Sequence, residues 1–62
     1  MERHYDILEI MPDGAPMWSA AVEAHENAIV KLQELAKKTE NEMRVMHIAS
    51  NSIVAAMNDP RS

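Results

Sequence analysis

Cysteine and phenylalanine are absent from this chain, and glycine occurs once, as Gly14. Without cysteine there is no disulfide staple, and thiolate zinc and iron–sulfur sites are excluded. A single glycine cannot build a glycine-rich phosphate cradle. The aromatics are Tyr5 and Trp18 alone. Basic residues are also scarce: six Lys and Arg stand against ten Asp and Glu, for a formal charge of −4. Duplex nucleic acid demands a basic surface, so no nucleic-acid partner is expected. No apolar run approaches the roughly 18 residues needed to span a bilayer. The first ten residues lack the apolar centre of a signal peptide, so a soluble, cytoplasmic protein without a membrane partner is expected.

What is present is a 62-residue chain, 47% hydrophobic, with six methionines. That length suits one domain and buries only about 60% of the unfolded surface. Domains this small usually add a disulfide, a metal or a partner chain. With the first excluded, oligomerisation is the natural source of further buried area, and a homodimer is expected. Methionine packs adaptably, so a core or interface built from it tolerates repacking.

The most secure element covers residues 23–39. Ala28, Leu32 and Leu35 fall in line with Ile29 and Ala36 beside them, the i, i+3, i+4, i+7 spacing of an amphipathic helix. Glu23 and Glu26 near its start and Lys37 and Lys38 near its end suit the helix dipole. Ala24 offers no side-chain acceptor as an N-cap. Asn41 is expected to close the helix in a left-handed conformation.

Two strand-like runs precede it. Residues 4–11 hold Tyr5, Ile7 and Met11 on one side and Leu8 and Ile10 on the other. Pro12-Asp13-Gly14 is a turn signal, since Pro presets φ, Asp caps its own backbone and Gly supplies positive φ. Residues 16–22 then return, with Trp18, Ala20 and Val22 on one face and Met17, Ser19 and Ala21 on the other; Pro16 suits a strand start. After the helix, residues 42–49 place Met43, Val45 and His47 opposite Arg44, Met46 and Ile48. Ser50-Asn51-Ser52 forms a turn, residues 53–57 a fourth strand, and residues 58–62 a frayed polar tail. The predicted fold is α+β: ββαββ, an antiparallel sheet with one helix on one face. The rival is an all-α helical hairpin, because Trp18, Val22, His25, Ile29, Leu32 and Ala36 also follow a near-heptad stripe behind Pro16.

The Pro12-Asp13-Gly14 turn, Trp18, the Ala28…Leu32…Leu35-Ala36 helix, Arg44-Val45-Met46-His47 and Ile53-Val54-Ala55 together resemble small uncharacterised bacterial proteins of hairpin–helix–hairpin plan. The resemblance spans residues 5–57. It implies the ββαββ fold and carries no chemistry.

Catalytic signals fail one by one. His25-Glu26 begins a metalloprotease H-E-x-x-H, but Ile29 occupies the second ligand position. His47 meets His4 only if the first and third strands are neighbours. Ser19, Ser50, Ser52 and Thr39 lie in no nucleophile elbow. Asp6, Glu9 and Asp13 read as solvated acids, with Asp6 and Glu9 on opposite strand faces. No enzyme, no cofactor and no metal are therefore expected.

Surplus apolar surface is the remaining signal. A single helix covers one sheet face, yet both faces carry apolar residues, where a wet face should alternate with polar ones. The expectation is a structural or protein-interaction module that self-associates through its sheet, with Trp18, Met17, Val45, Met46, Ile48 and Met57 at the interface. The alternative is an acidic regulatory binder, antitoxin-like or an inhibitor, of a basic protein partner. Which side chains share a face depends on a pairing register the sequence does not contain.

Overall fold

The computed structural model describes residues 4–59. Its elements run β1 (Tyr5–Ile10), β2 (Pro16–Val22), α1 (His25–Ala36), β3 (Glu42–His47) and β4 (Ser52–Met57). The strands form one antiparallel sheet in the order β2-β1-β3-β4. The chain is thus α+β, with two hairpins joined by a helix, and the helical hairpin is excluded.

Turn chemistry sets the first hairpin. Gly14 N–H donates to Met11 O at 2.8 Å and Met11 N–H to Ala15 O at 2.9 Å. Asp13 Oδ1 accepts from Ala15 N–H at 2.9 Å. Gly14 takes φ +89°, a conformation an L side chain adopts only under strain. In the second hairpin Asn51 takes that role at φ 55°, and its N–H donates to Ile48 O at 3.3 Å.

Burial is concentrated where the helix lies on the central strands. Ile7, Met43 and Val45 from β1 and β3 meet Ala28, Leu32 and Ala36 of α1. The buried helix line is therefore spaced every four residues, and Leu35 lies half-buried at its flank. Alanine at either end of the line lets the helix approach the sheet closely, and Leu32 fills the gap between.

The helix is shorter than its stripe. Ala24 is the N-cap, at φ −105° and ψ 145°, and makes no side-chain cap bond. At the other end Asn41 does not close the helix in the expected left-handed conformation, and the positive-φ asparagines among the described residues are Asn51 and Asn58. The Asn41 amide instead donates to Glu9 Oε2 at 2.7 Å, and Thr39 Oγ1 donates to the same oxygen at 3.0 Å. Asn58, assigned above to a frayed tail, sends its amide to the carbonyl oxygens of Ala36, Thr39 and Asn41 at 3.1, 3.0 and 3.2 Å. The end of β4 thereby closes the end of α1. Residues 60–62 of that expected tail lie outside the described residues.

Two register shifts decide the faces. Ile7 pairs with Ala20 but Leu8 pairs with Trp18, leaving Ser19 as an extra residue in β2. Val45 pairs with Ala55 but Met46 pairs with Ile53, leaving Val54 extra in β4. A bulge resets the alternation of side chains along its strand. Ala20 and Val22 therefore pack toward the helix, while Trp18, grouped with them by simple alternation, lies on the other face.

Candidate interaction surface

The sheet face away from α1 is built from two central cross-strand rows. One reads Trp18, Leu8, Arg44, Ala56 across β2, β1, β3 and β4; the next reads Ala21, Asp6, Met46, Ile53. Beyond the first row lie Pro16, Ile10 and Glu42. Among the described residues no second helix or strand covers this face. Trp18 is 57% exposed and Ile53 50%.

The two hairpins relate to one another by an approximate two-fold axis normal to the sheet, between the paired residues Ile7 and Val45. It exchanges Leu8 with Met46, Asp6 with Arg44, Trp18 with Ile53 and Ala21 with Ala56. It also exchanges the bulged residues Ser19 and Val54. The two large exposed side chains thus occupy opposite corners of the face, and two alanines occupy the remaining corners.

Asp6 and Arg44 on the face each have a partner within the chain. Trp18 Nε1 donates to Asp6 Oδ1 at 3.2 Å. Arg44 Nε and Nη2 donate to Glu42 Oε2 and Oε1 at 2.7 and 3.2 Å. The Glu42 hydrogen bond raises the Arg44 pKa above its ordinary value; desolvation opposes the rise, and the negative charges of Glu42 and Asp59 add to it. No buried side-chain polar atom among the described residues lacks a hydrogen bond.

The six residues expected at an interface are dispersed. Trp18 and Met46 lie on the open face. Val45 is fully buried beneath the helix, because it pairs with Ile7 at the centre of the core, so it cannot present a surface. Met17 and Met57 pair with Glu9 and Met43, residues of the helix side, and are exposed at its rim. Ile48 lies half-buried just beyond β3. Leu8, Ile53, Ala21 and Ala56, outside that expectation, share the open face; the bulges at Ser19 and Val54 set Trp18 and Ile53 on it, and no residue pattern announces them.

The histidines do not converge on a metal. β1 and β3 are neighbours, but the Cα partner of His47 is Tyr5, one residue beyond His4. The Tyr5 ring lies between His47, centroids 5.2 Å apart, and His25, 5.7 Å away and edge-on. His47 Nδ1 is 2.8 Å from Ser50 Oγ. Among the described residues no three His, Asp or Glu side chains form a metal-binding group. An open cavity of about 340 Å³ lies at the opposite end, between the Pro12–Gly14 turn and residues 40–42. Glu42 there is already engaged by Arg44. No described helix is long and apolar enough to cross a membrane. No protein-family model, curated protein or solved structure matches the chain.

Proposed function

We propose that this chain is a non-enzymatic interaction module that self-associates through the uncovered face of its sheet. The observation that carries the reading is the pairing of a small core with an open sheet face that sets four large apolar side chains around Asp6 and Arg44. Six side chains are buried between the helix and the sheet, while Trp18, Leu8, Met46 and Ile53 lie on the side the helix leaves open. A lone exposed apolar residue needs no explanation, but a contiguous patch on a small domain marks an interaction surface.

Size supports the same reading. The Cα envelope measures 31 × 20 × 19 Å. Its broad side projects to on the order of 600 Å², close to the ~800 Å² per partner of a standard interface. Covering it would remove about a seventh of the 4300 Å² accessible surface. Asp6 and Arg44 each keep a partner on their own chain, Trp18 and Glu42, when the face is covered, which lowers the cost of covering them.

Sedimentation equilibrium is the direct test. A dimer, twice the 7.0 kDa chain mass, is expected in the micromolar range, and a monomer persisting at tens of micromolar overturns the proposal.

A further inference from the structure

The arrangement of large and small side chains on the open face carries more than the fact of association. We infer that the occupant of each face is the same face of a second copy, turned over about a two-fold axis in the plane of the sheet, so that Trp18 and Ile53 of each chain seat on Ala21 and Ala56 of the other. The inference rests on the self-association proposed above.

Its basis is the checkerboard of the two rows. Turning the face over about an axis parallel to the strands lays Trp18 on Ala56 and Ile53 on Ala21 of the second copy. An axis across the strands lays Trp18 on Ala21 and Ile53 on Ala56 instead. Either way each protrusion meets an alanine, the complementarity that fills an interface to interior density. Both operations keep the strands of the two sheets aligned, the common sandwich arrangement. An axis along the line from Trp18 to Ile53 lays Trp18 on Trp18, and an axis at right angles to that line lays Trp18 on Ile53, so in both the protrusions collide and miss the alanines. The checkerboard therefore favours the two aligned axes over the axes that bring the protrusions together.

Neither aligned axis lays a charge on one of the same sign. Asp6 faces Met46 or Leu8 of the second copy, and Arg44 faces Leu8 or Met46, so no like charges superpose. Asp6 retains the Trp18 indole as donor, and Arg44 retains Glu42. An isologous contact of this kind closes on itself as a dimer and does not propagate.

The test is to fill the hollows. Ala56→Trp and Ala21→Trp add apolar area to the face. Seating predicts that each weakens the dimer, by about tenfold or more in dissociation constant, because the protrusion opposite loses its space. Non-specific adhesion, or an apolar partner of another kind, predicts stronger self-association. Far-UV circular dichroism of each variant must match the parent, and Ala56→Leu serves where Trp disturbs the fold. Exchanging protrusion and hollow then identifies the axis: Trp18→Ala with Ala56→Trp restores the dimer for the axis along the strands, and Trp18→Ala with Ala21→Trp for the axis across them. A parent dimer that tightens with the tryptophans, or that ignores both them and Trp18→Ala, overturns the seating while leaving self-association in place. A monomeric parent overturns both.

Discussion

The indole of Trp18 reaches across the first hairpin and donates through Nε1 to Asp6 Oδ1 at 3.2 Å. The two residues are not direct cross-strand partners, since Leu8 pairs with Trp18 and Asp6 with Ala21. The extra residue Ser19 brings them onto one face. The bond fixes the orientation of the largest side chain on that face, and it makes Asp6 a positioning residue for the proposed contact. Asp6→Ala should cost only ~0.5–1 kcal/mol of monomer stability, as the bond is exposed. It should weaken self-association as well, because the freed indole must be ordered on binding. Trp18 is the only tryptophan, so its emission reports both effects: urea unfolding gives the first and a dilution series the second. A variant with unchanged unfolding and unchanged dissociation would show that the bond positions nothing.

Asn58 predicts a larger loss for the fold itself. Its amide serves three carbonyl oxygens at the end of α1 from a residue with φ 58°. Asn58→Ala removes those donors and places an alanine where φ is unfavourable, so the loss should be about 2–3 kcal/mol. Asn58→Gly removes the same donors but relieves the backbone, and should cost less than Asn58→Ala. Thermal melts of the two variants separate the contributions. Equal melting temperatures would mean that relief of the backbone is offset in full by the greater unfolded-state freedom of glycine.

Within the helix, Leu32 and Leu35 should part company. Leu32 is 2% exposed and fills the gap between Ala28 and Ala36, whereas Leu35 is partly open at the flank. Leu32→Ala should cost about 2–5 kcal/mol, which approaches the whole stability of a domain this size. Leu35→Ala should cost clearly less. Urea midpoints in the reverse order would place the core on the other side of the helix.

That shift of one helical step shows which information the sequence carries and which it lacks. Period-two runs, the Pro12-Asp13-Gly14 turn and the 3.6 stripe are local properties, and they specify the ββαββ order without any partner. The buried line Ala28, Leu32, Ala36 depends on how close the sheet allows the helix to come, which is settled by Ile7, Val45 and Met43 together. Faces are harder still. Alternation alone puts Trp18 with Ala20, and one unpaired serine reverses that. Val45 follows alternation correctly but lies under the helix, because the sheet order makes β3 a central strand. Glu9 shows a similar limit: its carboxylate accepts from Thr39 and Asn41, about thirty residues away, and nothing in its neighbourhood announces that role.

The helix start offers a gain where the other substitutions lose. Ala24 already has the extended backbone of an N-cap, φ −105° and ψ 145°, and its carbonyl accepts from Ala28 N–H at 3.0 Å. Only the side-chain acceptor is missing. Ala24→Asp or Ala24→Ser should supply it to an orphan N–H of the first turn and stabilise the fold by about 1 kcal/mol. Asp should gain slightly more than Ser from the helix dipole, and that excess should shrink with added salt. For a domain of this size the change corresponds to roughly 4–8 °C in melting temperature. The cap lies off the open face, so the dimer dissociation constant should stay unchanged. A stabilised variant with altered association would place the helix start at the contact and exclude the sheet face as its sole surface.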